Sequence, residues 1–336
     1  MADRQKLIIV GSKGGTNIGH SFWRGAKTLG WDVDFFDVSR AYSDSTWLQR
    51  LSWHLCDRRP LRLGRFSKSV VVAAKDLGPA TLISTGLAPL TTESLKTLKA
   101  RSVRCLNYST DDPWNPGQRA RWFLRTLPVY DHVFSTRRAN IHDLLSLGAN
   151  VSYLPFGYDH ELFYRDDSHV GERTDFDILF IGGAEDARAR ILSEIAASGL
   201  RMALYGDYWT RYEDLRQFAC GRADPPLLRQ ITAEAAINLC LYRRANRDGH
   251  VMRSFEIAAI GGFILAEDSR EHRELFGEEG ECVLYFRQAC EAIEKARWAL
   301  HHPRERHRMA MAAHDRIVHG AHTYRDRLQQ MLSYIN

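Results

Sequence analysis

The densest run of chemistry-bearing residues extends from Arg243 to Phe263, RRANRDGHVMRSFEIAAIGGF. Asp248 precedes Glu256 by eight positions, and Arg243, Arg244 and Arg253 surround the pair. Guanidinium groups grouped in this way can neutralise a diphosphate through paired N–H donors. A carboxylate just inside a helix that starts near Ser254 can grip vicinal ribose hydroxyls with both oxygens. The helix expected there stops at Gly261-Gly262, before an apolar strand and the acids Glu267 and Asp268. The same residues also read as an amphipathic helix carrying an ordinary salt bridge.

Two further constellations carry chemistry. The loop from Gly11 through Gly14, Gly15 and Gly19 to His20 and Ser21 joins an expected strand to an expected helix. Glycines there let the backbone approach a ligand, and the helix N-terminus beyond favours anions. The spacing fits neither a P-loop nor a G-x-G-x-x-G fingerprint, so the loop is either a generic ligand loop or a tight turn. His20 has the imidazole that can take a proton near neutral pH. The second constellation, Asn107 to Pro116 (NYSTDDPWNP), puts Asp111 and Asp112 at a strand's carboxyl end beside Trp114. One carboxylate there can accept a proton from, or simply bind, an acceptor hydroxyl. An Asp-Asp-Pro turn is equally a helix cap.

These residues need a scaffold, and the pattern of apolar runs supplies one. KLIIVG at Lys6–Gly11 reads as a buried parallel strand, followed by a helix over 19–29, a Gly30 cap and the strand WDVDFFDV. Further strands are expected at 69–73 or 80–85, at 104–108 and at 131–135, with helices between them. The stretch 151–163 and the polar run after it mark a domain boundary. Strand and helix then alternate again, at FDILFIG (176–182), EDARARILSEIAASG, MALYG, AINLCL (236–241) and GFILA (262–266), before a basic helical tail from about Cys290. Alternation of this kind implies α/β architecture with doubly wound parallel sheets. The expected division is 1–155, 156–310 and a last segment, 311–336, packing back on the first domain.

The 336 residues suit two cores, and 44% hydrophobic with 26% charged residues is ordinary globular composition. No apolar stretch reaches the roughly 18 residues of a membrane span, and the N-terminus runs straight into a strand, so a cytoplasmic location is expected. Cys56, Cys105, Cys220, Cys240, Cys282 and Cys290 form no C-x-x-C pair and read as reduced core residues. The net charge of +5 is uneven: Arg50, Arg58, Arg59, Arg62, Arg65 and Lys68 face only Asp57 and interleave with Trp47, Trp53 and Phe66. That segment reads as a solvated face with snorkelling side chains or as a contact for the inner face of a membrane or a phosphorylated acceptor. No nucleic-acid module accompanies the charge. His301, His302, His307, His314, His319 and His322 are expected at the surface.

The stretch RSFEIAAIGGFILAEDSREHRELFGEEGECVLY, with STDDPWNP in the first half, resembles the group 1 type of GT-B glycosyltransferases, in particular the CgeB-like (spore maturation protein-like) branch. The resemblance implies two Rossmann-like domains with parallel sheets facing a central cleft. It also implies transfer of a sugar from a nucleoside-diphosphate sugar to a glycan, lipid-linked or small-molecule acceptor in cell-surface polysaccharide biosynthesis, with no metal and no other cofactor. Glu256 matches the family's ribose-binding glutamate and Asp248 its catalytic-side partner. Gly182 and Gly183 fall near the donor phosphates, with Arg188 or Arg190 to reach them, and Tyr205 falls near the base, with Arg243, Arg253 and Ser254 completing the donor set. Gly14, Gly15 and Trp114 fall to the acceptor, and His20, Asp111 and Asp112 to the acid–base work. Group 1 enzymes are generally retaining, whereas a histidine after the first strand belongs to inverting relatives. Retention is the expectation, against the alternatives of a non-catalytic nucleotide-sugar-binding protein, an epimerase or a phosphorylase.

Overall fold

A computed structural model describes residues 6–76, 78, 80–166 and 176–334. The chain divides into two units: unit 1 contains residues 1–155, 245–247 and 324–336, and unit 2 the remainder.

In unit 1, β1 (Lys6–Gly11) is apolar and buried from Leu7 onwards, which is why it takes a central place. Helix α1 (Ile18–Thr28) follows, then β2 (Asp32–Asp37), α2 (Thr46–Leu55), α3 (Leu63–Ala73) and β3 (Ala80–Thr85). The unit continues through α4 (Thr92–Ala100), β4 (Val103–Ser109), α5 (Arg121–Leu124), β5 (His132–Ser135), α6 (Ile141–Ser146) and β6 (Val151–Tyr153). All six strands pair in parallel in the order β2-β1-β3-β4-β5-β6. Of the two positions offered for the third strand, 80–85 is the strand. The run 69–73 is helical despite its β-branched valines, because Phe66, Val70 and Ala74 recur at helical spacing and enter the core. Val151, the start of the stretch read as marking a domain boundary, opens β6, which pairs with β5 from Val133 to Ser135.

Unit 2 repeats the plan. It runs β7 (Ile178–Ile181), α7 (Asp186–Ala197), β8 (Met202–Tyr205), β9 (Ala219–Gly221), α8 (Pro225–Glu234), β10 (Ile237–Cys240) and α9 (Met252–Ile260). It ends with β11 (Ile264–Glu267), α10 (Arg270–Phe276), β12 (Leu284–Phe286), α11 (Ala289–His301) and α12 (Pro303–Val318). The strand order is β12-β11-β10-β7-β8-β9, again all parallel. Helix α9 is buried from Ser254 to Ile260, so it is a core helix, not a half-exposed amphipathic one. It stops at Gly261, whose φ of +88° is the left-handed C-terminal geometry glycine permits. At Gly262 a Cβ would lie 2.7 Å from Asn238 Nδ2 and 2.9 Å from Ile257 Cγ2, so the second glycine is a packing requirement.

The last helix, α13 (Tyr324–Ser333), belongs to unit 1 and packs on α1. The Phe22 and Tyr324 rings meet edge-on at 5.4 Å, and a Cβ at Gly25 would lie 3.0 Å from the Arg325 Cα. Arg327, itself buried, donates from Nε to the Pro155 carbonyl at 3.0 Å. Cys105, Cys240 and Cys282 are buried and reduced, whereas Cys56, Cys220 and Cys290 are exposed, contrary to the expectation of core positions. His301, His302, His307 and His319 are exposed, and His314 and His322 are half-buried. Among the described residues no helix is long and apolar enough to cross a membrane.

Candidate functional site

Strand order decides where ligands belong in sheets of this kind. In unit 2 the chain leaves β7 towards β8 on one side and returns through β10 and β11 on the other, so β7 and β10 flank the point where winding reverses. Crevices beyond the carboxyl ends of such strands are the usual ligand sites of doubly wound folds. Four of the expected donor residues, Gly182, Gly183, Arg188 and Arg243, fall in or against these loops.

Arg188, in the first turns of α7, turns back across the reversal point. Its Nε donates to the Tyr242 carbonyl at 3.0 Å, Nη2 to Leu241 at 3.0 Å and Nη1 to Gly183 at 3.1 Å, so it ties the loop after β7 to the loop after β10. It is 7% exposed, and no carboxylate pairs with it among the described residues. Burial lowers its pKa to about 10. Arg190 is exposed. Gly182 carries the loop tightly: its carbonyl accepts from Trp209 Nε1 at 2.9 Å, and a Cβ on Gly206 (φ +136°) would collide with that same carbonyl. Tyr205 is half-buried at the end of β8, beside that contact.

The other cations have partners. Arg243 lies 3.7 Å from Glu185, and Arg244 donates to the buried Glu267 at 2.7 Å. Asp248 accepts from the Arg243 backbone N–H at 3.1 Å, which closes the loop between β10 and α9. Arg253 pairs with Glu256 one helical turn away. Glu256 is 1% exposed. Its Oε2 is held by Arg253, and its Oε1 has no hydrogen-bond partner among the described residues. Burial raises its pKa against the opposing pull of Arg253. A buried carboxylate oxygen left unmatched is costly, on the order of 1–3 kcal/mol, and is rare without a reason.

Behind these residues lies a polar relay that the sequence did not reveal. His272 is buried between Ser254 Oγ, 2.7 Å from Nε2, and the Glu267 carbonyl, 2.8 Å from Nδ1. Burial pushes its pKa down to about 4, so the ring is neutral, with Nδ1–H donating to the carbonyl and Nε2 accepting from the serine. Tyr242 donates from its backbone N–H to Glu267 Oε2 at 2.6 Å and from its hydroxyl to the Glu267 carbonyl at 2.7 Å. The sequence-level signal was Ser269 three residues before His272: its hydroxyl caps α10, and that fixes the register that buries the ring.

In unit 1 the reversal point lies between β1 and β3. The Gly11 and Gly19 backbones touch there, since a Cβ on Gly11 would be 2.8 Å from the Gly19 Cα. Gly14 and Gly15 adopt φ of +80° and +52° with open space around them. His20 is half-buried, its ring 5.1 Å from Trp23 and 5.9 Å from Phe35. Asp112, expected in the acid–base work, is buried in an ion pair. It is 1% exposed, takes Arg247 Nε at 2.5 Å and Nη2 at 3.0 Å, and accepts the Trp114 N–H at 2.9 Å. Asp111 accepts from Asn246 at 3.3 Å, and Asn115 donates to Asn246 at 2.6 Å. The STDDPWN loop therefore clamps residues 245–247, a segment whose part in unit 1 sequence reasoning missed. Trp114 is half-buried against the unit 1 core. Among the described residues no group of three His, Cys, Asp or Glu side chains is placed to hold a metal ion.

Comparison with solved structures settles the architecture. A sucrose-phosphate synthase from Thermosynechococcus elongatus matches over 99% of both chains at 15% identity, with a TM-score of 0.72. HepE from Anabaena, in complex with UDP-glucose, matches over 98% of this chain and 99% of its own at 11% identity, with a TM-score of 0.65. The fold is GT-B. A third GT-B structure, described as trehalose-6-phosphate from E. coli bound with UDP-2-fluoro glucose, matches over 98% of each chain at 13% identity and a TM-score of 0.60. A family model described as "Glycosyl transferase-like" matches residues 188–333, from the buried arginine of α7 to the end of α13. No curated protein matches the sequence.

Proposed function

We propose that the protein is a glycosyltransferase whose unit 2 binds a nucleoside-diphosphate sugar and whose unit 1 supplies the acceptor side. The observation that carries this reading is Glu256: a buried carboxylate with one oxygen held by Arg253 and the other without a partner among the described residues. A ribose diol satisfies that oxygen, and few other ligands combine two adjacent hydroxyl donors with the diphosphate that Arg188, Arg253 and the N-terminus of α7 would meet. The family-model match over 188–333 and the UDP-sugars held by similar structures support the same donor class. Within GT-B we place the chain in the CgeB-like branch on the RSFEIAAIGGFILAEDSREHRELF stretch.

In this reading the leaving diphosphate is neutralised by guanidinium groups and helix dipoles, so no metal is needed. Ser254, held by His272, lies two residues before the ribose-binding Glu256. Asp248 stands on the sugar side with a shorter arm than a glutamate. The acceptor is a hydroxyl of a glycan, a lipid-linked sugar or a small molecule, recognised around Gly14, Gly15 and Trp114. Retention is favoured because Asp112 is consumed by Arg247 and a retaining group 1 transfer asks for no protein base. His20 and Asp111 are the remaining candidate bases, and the anomeric configuration of the product, read by NMR, separates the two courses.

Incubation with a panel of UDP-, GDP-, ADP- and TDP-sugars tests the activity, because transferases leak donor to water. Slow release of a nucleoside diphosphate from one of them is expected. Tight binding of a sugar nucleotide with no release and no transfer would instead mark a non-catalytic binding protein.

A further inference from the structure

The turn between α2 and α3 takes no part in the proposed donor or acceptor chemistry, and it is built in an unusual way. Asp57 and Arg58 both adopt left-handed backbone geometry, with φ of 53° and 58°, which non-glycine residues avoid. Long-range ties hold them there. The Asp57 carboxylate accepts the Arg121 N–H at 2.6 Å, and the Arg58 guanidinium donates to the Pro116, Gly117 and Arg119 carbonyls at 2.7, 3.2 and 2.7 Å. The turn is thus fixed to the loop at 116–121.

What the fixed turn presents is apolar and cationic together. Trp47, Leu55 and Leu61 are 66%, 73% and 52% exposed, whereas a folded chain usually leaves such side chains scattered singly. Arg59 in the turn and Arg65 and Lys68 on α3 are exposed too, without ion-pair partners among the described residues. The two acids of 44–75 are already engaged, Asp44 with Arg62 at 2.8 Å and Asp57 with the Arg121 backbone. Seven cations stand in the same stretch against these two acids, so the segment remains net positive. A large indole and leucine side chains set among unpaired cations match the boundary of an anionic bilayer, where the rings enter the headgroup layer and the cations meet phosphates.

We propose that the α2–α3 turn is a peripheral docking surface for anionic lipid. Each exposed cation near such a surface strengthens binding by roughly fivefold. The Arg59→Glu/Arg65→Glu/Lys68→Glu variant removes the charge and leaves Asp57 and Arg58 in place. A second variant, Leu55→Ser/Leu61→Ser, removes the apolar component.

The test is co-sedimentation of the full chain with vesicles of phosphatidylglycerol and phosphatidylcholine, and with vesicles of phosphatidylcholine alone. Circular dichroism and melting confirm that each variant folds. The expected result is binding to the anionic vesicles only, reversed by salt on the scale of screening. The charge-reversed variant should bind at least about tenfold more weakly, and the serine variant should also weaken. Equal binding to both vesicle types, no binding by the wild type, or undiminished binding by both folded variants would overturn the proposal. A wild-type dimer that the variants turn into monomers, with neither form sedimenting with vesicles, would assign the surface to a second copy and overturn it as well.

Discussion

Glu256 and His272 show how far a single residue's surroundings set its chemistry. Glu256 was legible because its place before Gly261-Gly262 sets a carboxylate in the first turns of a helix. The pair with Arg253 follows from i, i+3 spacing, but the unmatched Oε1 was not legible, because it depends on burial that no spacing encodes. Replacing Glu256 with Gln should keep the shape and weaken nucleotide binding less than replacement with Ala does. His272 was invisible as a site residue, since one histidine in a helical run carries no signal of its own. The fold holds it neutral, with a pKa of about 4 against an ordinary 6.5. Its contribution to stability is therefore whole above pH 6.5 and declines as pH falls towards 4, by up to about 1.4 kcal/mol per pH unit. Urea unfolding at pH 7 and pH 5 should show a shallower loss for His272→Gln than for the wild type. Equal slopes would mean that the ring titrates normally.

The elements show a similar division between what pattern reveals and what topology adds. Strand β1 was plain from KLIIVG, and α9 from the glycines that end it. The helix α3 was obscured by Ser69-Val-Val-Val-Ala73, whose β-branched composition points to a strand until Phe66, Val70 and Ala74 are seen to share one buried face. Short strands such as β6, β9 and β12, three residues each, fell below what alternation resolves. Strand order was not accessible at all, and it is strand order that puts Arg188 across the reversal point between β7 and β10. The tight approach of Gly206 to Gly182 belongs at this scale. Gly206→Ala adds a Cβ against a carbonyl in a backbone region reserved for glycine, and should destabilise unit 2 by about 2–4 kcal/mol while weakening nucleotide binding. Denaturant unfolding followed by nucleotide titration checks both effects, and a wild-type midpoint would refute the packing account.

At the scale of the whole molecule, the chain completes unit 1 only with its final helix. Two α/β units and their parallel sheets followed from the restart of the strand-then-glycine pattern at FDILFIG. A last segment packing on the first domain was expected over 311–336, and 324–336 belongs to unit 1; the contribution of 245–247 was not expected, because a contact that distant leaves no local trace. Tyr324, Leu328, Met331 and Leu332 of α13 are all buried. Burial of each such side chain is worth about 1.5–3 kcal/mol, so together they rival the net stability of a domain. Truncation after Thr323 should abolish cooperative melting of unit 1 while leaving a transition that a nucleotide still raises. An unchanged melting profile would show that α13 is dispensable.

Nucleotide binding by unit 2 is measured most directly by calorimetric titration of UDP into the wild type and into Glu256→Ala. UDP is the suitable probe because similar GT-B structures hold UDP or UDP-sugars. The predicted result is saturable binding by the wild type, weakened at least about tenfold in a variant that remains folded, as expected for loss of a charge-assisted contact worth about 1.5–3 kcal/mol. Identical dissociation constants for the two proteins would contradict it.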